Sequence, residues 1–134
     1  MKKTKLHLVA AIIWFAVIFY LLTIPGKELP EISWFDKFQV DKLVHIFLFS
    51  VLCYLFSYTI KNSSKRHILI IVISTLGLLY GISMEFVQKY FVANRSCDID
   101  DMVADGVGCL LSFFWWHIQF KKESPDGNRG RNQN

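Results

Sequence analysis

The sequence predicts an all-α protein, a four-helix transmembrane bundle with both termini in the cytoplasm. Hydrophobic residues make up 53% of its 134 residues, and the mean hydropathy is +0.34, which leaves too little polar side chain to cover a soluble globule. Four apolar segments approach the ~17–25 residues that cross the core of a bilayer. They are Leu6–Ile24, Leu43–Ile60, Ile68–Met84 and Met102–Phe120.

The first apolar segment is predicted to be a retained transmembrane helix rather than a cleaved signal peptide. Three lysines precede it, as in a signal peptide, but the apolar run exceeds the usual ~7–15 residues and no Ala-x-Ala-like site follows it. Pro25 and Gly26 are expected to end this helix, and Pro30 keeps the following residues from continuing it.

The distribution of basic residues predicts the orientation in the membrane. Ten of the 15 Lys and Arg residues lie in the N-terminal end, the 61–66 loop and the C-terminal tail, and five lie in the loops at residues 25–42 and 89–101. Because cytoplasmic loops carry the excess of Lys and Arg, both termini are placed inside and these last two loops outside. We therefore expect a multi-pass protein of the cytoplasmic (inner) membrane, with the lipid bilayer rather than nucleic acid as its partner.

Residues 1–120 are predicted to form one four-helix membrane domain, followed by a disordered basic cytoplasmic tail at residues 121–134 that has no apolar periodicity. In the first outer loop, Trp34, Phe35 and Phe38 are interpreted as an interfacial anchor, with substrate gating as the alternative. Two of the three cysteines fall within apolar segments and the third in an outer loop, so no intramolecular disulfide is expected.

Small and polar residues follow one face of the third and of the fourth predicted helix. Steps of three or four residues place them on the same side of a helix. On the third helix they are Ser74, Gly77, Gly81, Glu85 and Gln88, and on the fourth they are Asp101, Asp105, Gly108 and Ser112. Glycines let another helix approach closely, and Gly77 and Gly81 also offer a surface to a partner helix. If the two faces meet, their carboxylates line an outward-open crevice.

Three motifs, in order along the chain, resemble the VanZ-like family. They read Asp41-Lys42-x-x-His45, Gly81-x-x-x-Glu85-x-x-Gln88 and Arg95-x-x-Asp98-x-x-Asp101-x-x-x-Asp105-x-x-Gly108. The resemblance implies a small multi-pass membrane protein of the cell envelope, and the named member of that family is associated with low-level teicoplanin resistance. It implies no particular reaction. This chain departs from the family at Asp105, where Asn is common.

Nine polar residues form the candidate ligand-binding site. All are expected near the outer end of the bundle, and ionisable groups within membrane segments are functional candidates because burying them is unfavourable. They are Asp41, Lys42, His45, Glu85, Gln88, Arg95, Asp98, Asp101 and Asp105.

Two residues at the start of the second apolar segment have alternative interpretations. Asp41 lies one turn before His45, so its carboxylate either orients the imidazole or caps the second helix, and both roles can coexist. His45 is either a site residue or a satisfied core histidine. Asp101 and Asp105, one turn apart on the inward face of the fourth helix, are stronger site candidates.

Glu85 and the other acids near the fourth helix also allow a structural interpretation. Glu85 either belongs to the site or forms a structural ion pair with Arg95 or Lys42. Asp98 or Asp100 suits the N-cap of the fourth helix, where a carboxylate is favoured by the backbone N–H groups and the helix dipole.

The charge balance of the candidate site limits the chemical classes of ligand that it can bind. Five acids and two bases give a net charge of −3 when all are ionised. A bare lipid phosphate would be repelled unless basic groups or a divalent cation faced it, whereas a proton, a metal ion or an ammonium group fits more easily. The chain has no His-Glu-x-x-His, Gly-x-Ser-x-Gly or Gly-x-x-x-x-Gly-Lys-Ser/Thr motif, so no metal ligands are predicted, and catalytic residues and cofactors are not assigned.

The leading hypothesis is a non-enzymatic envelope protein that binds or positions an amphiphile, either a lipid-linked wall precursor or a glycopeptide, and contributes to glycopeptide resistance. One alternative is an intramembrane acid–base or metal-dependent enzyme that acts on a lipid-linked substrate. Another is a structural module that binds a partner protein through Gly77 and Gly81.

Overall fold

A computed structural model describes residues 2–25 and 34–122 of the chain. Within these ranges every regular element is an α-helix. The four helices are α1 (Lys2–Leu22), α2 (Trp34–Thr59), α3 (Arg66–Phe91) and α4 (Ile99–Lys122). The predicted all-α, four-helix architecture is confirmed.

Among the described residues, three stretches of helix are long and apolar enough to cross a membrane: Thr4–Leu22, Val40–Thr59 and Arg66–Phe91. The fourth helix has 24 residues, but its apolar residues alternate with polar ones such as Asp105, His117 and Gln119. It is therefore a bundle helix that depends on its neighbours to cover its polar face.

Helices α2 and α3 extend beyond the segments predicted from hydropathy. Helix α2 begins at Trp34 rather than Leu43, because neither Pro nor Gly interrupts residues 34–42. Asp41 consequently lies inside α2, so its predicted capping role is wrong. Helix α3 continues to Phe91, which makes Glu85 and Gln88 helix-interior residues. Trp34, Phe35 and Phe38, the proposed interfacial anchor, belong to the first turns of α2, where the structure describes the backbone but not the side chains.

Helices α2 and α4 pack closely along their length, α3 packs against both, and α1 contacts mainly α2. The connections Thr59–Arg66 and Phe91–Ile99 are short, as expected between antiparallel neighbours. The side chains buried in the centre include Ile18, Leu48, Phe49, Leu52, Cys53 and Met84. Most of the large exposed side chains on the outer faces are apolar, which is typical of surfaces that face lipid.

Candidate functional site

Five ionisable side chains meet between α2, α3 and α4, at the end of the bundle where α2 and α4 begin and α3 ends. We call them the acid–histidine cluster: Asp41, His45, Glu85, Asp101 and Asp105. The predicted stripes on α3 and α4 do face each other, because Gly77, Gly81, Glu85 and Gln88 are buried on α3 and Asp101, Asp105, Gly108 and Ser112 on α4.

A hydrogen bond between His45 and Asp105 lies at the centre of the cluster. Their Nδ1 and Oδ1 atoms are 2.9 Å apart, and the two side chains are only 1% and 0% exposed. When the carboxylate of Asp105 is ionised it can only accept, and the imidazole then donates from Nδ1–H. The other ring nitrogen, Nε2, is buried and has no hydrogen-bond partner among the described residues.

Glycines make room for this arrangement. A Cβ atom placed on Gly81 would collide with the carboxylate of Asp105, and one on Gly108 would lie 2.5 Å from the carbonyl oxygen of Ile46 in α2. Only glycine lets α4 approach both neighbours this closely. The Gly77 and Gly81 face that the sequence also offered to a partner protein is covered by the chain's own α2 and α4.

Glu85 binds the backbone at the start of α4 instead of a basic side chain. Its Oε2 accepts a hydrogen bond of 2.9 Å from the N–H of Asp98. Its Oε1 is buried without a hydrogen-bond partner in the described ranges. The structural ion pair that the sequence suggested, with Arg95 or Lys42, is not among the ion pairs of the described residues.

Lys42 instead faces three carboxylates at the beginning of α4. Its Nζ lies 3.3 Å from Asp101, 3.5 Å from Asp100 and 3.9 Å from Asp98. The side chains of Asp98 and Asp100 are 41% and 61% exposed, so these contacts are accessible to solvent or to lipid head groups. We call Lys42, Asp98 and Asp100 the outer layer of the site.

Asp98 is the N-cap of α4, one of the two residues predicted for that role. Its Oδ1 accepts a hydrogen bond of 2.8 Å from the N–H of Asp100, and its carbonyl oxygen accepts one from the N–H of Met102. The cap fixes the first turn of α4 and thereby the position of Asp101.

Two predicted site residues join neither the cluster nor the outer layer. Gln88 donates through Nε2 to the carbonyl oxygen of Leu22 at 3.0 Å, and Arg95 donates through Nε to that of Ile24 at 3.5 Å. The last carbonyls of a helix lack intrahelical partners, so these side chains secure the C-terminal end of α1. Their contacts are structural.

The carboxylates do not line an open crevice, contrary to the expectation from sequence. Glu85 and Asp105 are completely buried and Asp101 is 5% exposed. The site therefore has two layers, an acid–histidine cluster that is buried except at the partly buried Asp41, and an accessible outer layer above it. One ligand atom each from Asp41, His45 and Asp101 lies within 4.8 Å of the other two, an arrangement that can hold a metal ion.

The sequence analysis missed a pair of thiols deeper in the bundle. The Sγ atoms of Cys53 and Cys109 are 3.5 Å apart, and a Cβ on Gly77 would contact both. The residue spacing could have predicted this pair, because Cys53 lies eight residues after His45 and Cys109 four residues after Asp105. These steps keep each cysteine on the face of its helix that carries the cluster.

The fold and the site define a small helical membrane protein with a buried acid–histidine cluster near one end of its bundle. The chain belongs to the VanZ/LLP1 family, which matches residues 7–120 and confirms the resemblance seen in the motifs.

The chain is also 36% identical over 72 residues to an uncharacterised protein of Schizosaccharomyces pombe. That match covers 54% of this chain and 43% of the yeast protein, so the chain spans less than half the length of this relative. No solved structure matches the chain.

Proposed function

We propose that this VanZ/LLP1 protein binds the head group of an amphiphile at its outer layer, with a lipid-linked wall precursor as the ligand. The observation that carries the proposal is the position of a charged, accessible outer layer directly beside lipid-facing apolar surface. In this proposal the outer layer faces the outside of the cytoplasmic membrane, as the distribution of basic residues predicts.

The apolar surface flanks the charged residues on both helices. On α2, Leu43 and Phe47 are 63% and 59% exposed, and on α4, Ile99 and Val103 are 72% and 59% exposed. A ligand bound here contacts the charged side chains and the apolar side chains at the same time. A molecule with a polar head and an apolar chain satisfies both, whereas a fully hydrophilic ligand would leave the apolar surface without a partner.

The outer layer favours a head group that carries both phosphate and hydrogen-bond donors. Lys42 is a cation that can contact a phosphate in exchange for one of the three carboxylates that it faces. The carboxylates of Asp98 and Asp100 can only accept hydrogen bonds when ionised. Sugar hydroxyls and amino groups supply donors. Lipid-linked wall precursors combine phosphates, sugars and amino groups on a single apolar chain.

An apolar cavity further along the bundle supports a ligand with a long chain. It has a volume of about 230 Å³ and is lined by residues of α1, α2 and α3 that include Phe15, Cys53, Gly77 and Tyr80. Cys53 and Gly77 each lie eight residues from the cluster residue of the same helix, His45 or Glu85. Eight residues of helix correspond to ~12 Å along the axis, a distance that a lipid chain spans easily.

The experiment measures binding of a short-chain, water-soluble lipid-linked wall precursor to the full-length protein in nanodiscs. We expect saturable binding that falls about tenfold or more in Lys42→Gln, because one charge-assisted contact to phosphate is lost. Lys65→Gln, the same charge change in an exposed loop residue at the opposite end, is the control. Absence of saturable binding, or equal binding by both variants, would refute the proposal.

The predicted orientation has its own test. A green fluorescent protein fused after residue 63 should fluoresce in the cytoplasm, and alkaline phosphatase fused after residue 94 should be active outside the membrane. The reverse pattern would place the outer layer in the cytoplasm and exclude a wall precursor displayed on the outer face. A contribution to glycopeptide resistance predicts that loss of Lys42 also lowers the teicoplanin concentration that inhibits growth, with Lys65→Gln unaffected.

A further inference from the structure

We propose that Asp41, His45 and Asp101 bind a single divalent transition-metal cation, with Asp105 as the positioning residue of the imidazole. The three ligand side chains come from two turns of α2 and the first turn of α4. One nitrogen or oxygen atom from each lies within 4.8 Å of the other two, so small side-chain movements bring all three to bonding distance of a common ion.

The surroundings of the buried His45 are those of a metal-binding histidine rather than those of a histidine that only fills the core. Its Nδ1 is occupied by Asp105, and its Nε2 is buried without a hydrogen-bond partner in the part of the chain that the structure describes. In metalloproteins a ligating imidazole usually donates its second N–H to a carboxylate, which fixes the tautomer and the ring orientation. The His45–Asp105 pair has this form, and Nε2 is the nitrogen left for the ion.

Charge supports a cation of more than one positive charge. The cluster holds four carboxyl groups beside the single imidazole of His45, and Lys42, which faces Asp101, is shared with Asp98 and Asp100 of the outer layer. Uncompensated charges are very unfavourable in a buried site. A divalent cation bound by two of the carboxylates offsets both of their charges, and the buried Oε1 of Glu85 adds a further acceptor close to them.

The donor set indicates the type of cation. One imidazole nitrogen with two carboxylate oxygens suits Zn²⁺ and neighbouring divalent transition metals, whereas Ca²⁺ and Mg²⁺ prefer oxygen ligands alone. The missing His-Glu-x-x-His motif does not argue against this site, because its ligands come from two separate helices. The proposal does not depend on the amphiphile, since the ion is held entirely by the chain's own side chains.

The experiment uses the full-length protein in detergent micelles, treated with a chelator and then titrated with Zn²⁺ alone. We expect one equivalent of zinc to remain after gel filtration, measured by elemental mass spectrometry. Asp101→Asn should lower the zinc affinity by more than about 100-fold, since it removes a direct ligand. The matched control is Asp126→Asn, the same change in the C-terminal tail outside both proposed sites, which should leave the affinity unchanged.

Two further variants separate a metal site from a purely structural network. Asp105→Asn retains an oxygen that accepts the Nδ1 hydrogen bond, and should lower the affinity about 10- to 100-fold and shift the visible absorption of bound Co²⁺. Lys42→Gln should raise the zinc affinity several-fold, because it removes a competing cation from Asp101. This change is opposite in sign to its expected effect on the amphiphile.

Circular dichroism confirms that each variant is folded. If the folded wild-type protein retains no zinc, if Asp126→Asn loses as much affinity as Asp101→Asn, or if Mg²⁺ is retained as well as Zn²⁺, the proposal is wrong. Stoichiometric zinc without amphiphile binding would refute only the proposed function, and amphiphile binding without zinc would refute only the cation site.

Discussion

The two ends of the bundle are built from different chemistry. At one end, the acid–histidine cluster and the outer layer join α2, α3 and α4 through charged groups. At the other end, where α1 and α3 begin and α2 and α4 end, contacts between aromatic rings connect the helices. We call this the aromatic end: His7, Tyr54, Tyr58, Phe113 and Trp116.

The aromatic end is held by stacking over short distances. The rings of His7 and Tyr58 have centroids 3.8 Å apart, and those of Tyr54 and Trp116 are 5.6 Å apart. Lys61 lies over the ring of Tyr58 and also donates a hydrogen bond to its hydroxyl group. These contacts need no ligand, and they link α1 to α2 and α2 to α4.

The charged end is different, because the buried groups there are ionisable: His45, Glu85 and Asp105 are each at most 1% exposed, and one polar atom of each makes no hydrogen bond within the described residues. Apolar packing would stabilise the bundle equally well. If the two proposals above hold, the aromatic end contributes stability and the charged end is retained for binding. Three substitutions test this division.

The largest effect is expected at the charged end. His45→Leu leaves Asp105 buried without its partner and should lower the free energy of unfolding by about 3 kcal/mol. The double variant His45→Leu/Asp105→Leu removes the pair and should recover most of this loss. Unfolding by dodecyl sulfate in mixed micelles, followed by circular dichroism, measures both values. A double variant as unstable as the single one would mean that the pair itself stabilises the fold.

A smaller effect is expected where the helices approach each other. Gly81→Ala places a methyl group against the carboxylate of Asp105 and should lower the free energy of unfolding by about 2 kcal/mol. Gly106→Ala is the matched control on α4, because its Cβ would meet only Leu78, at 3.4 Å. The same unfolding assay should find Gly106→Ala within about 0.5 kcal/mol of wild type. Equal losses in the two variants would show that the close packing at Gly81 does not require glycine more strongly than the packing at Gly106 does.

The smallest loss of stability is expected at the aromatic end, and it should come without any loss of binding. Tyr54→Leu removes the ring that stacks on Trp116 from a position that is 37% exposed, and should lower the free energy of unfolding by about 1 kcal/mol. Zinc affinity should stay within about twofold of wild type, since the cluster lies at the opposite end. A large fall in zinc affinity would show that the two ends are not separable.

Much of the site was predictable because helical periodicity is a local property. The steps from Gly81 to Glu85 and from Asp101 to Asp105 place each pair on one face, and both faces are buried in the structure. It was less predictable which of the polar residues on these faces would join the site. Gln88 lies three residues after Glu85, yet it turns to the end of α1, because the choice between neighbouring helices depends on how the bundle is assembled.

The sequence by itself determined the four helices, the polar stripes and the family, since hydropathy and residue spacing act within a single helix. Only the tertiary structure decided that Asp105 bonds His45, that Lys42 faces three acids, that Arg95 leaves the site and that Cys53 meets Cys109. These contacts join residues about 60 or more positions apart or depend on the extended start of α2. Distances across a bundle follow from helix packing, which no local pattern encodes.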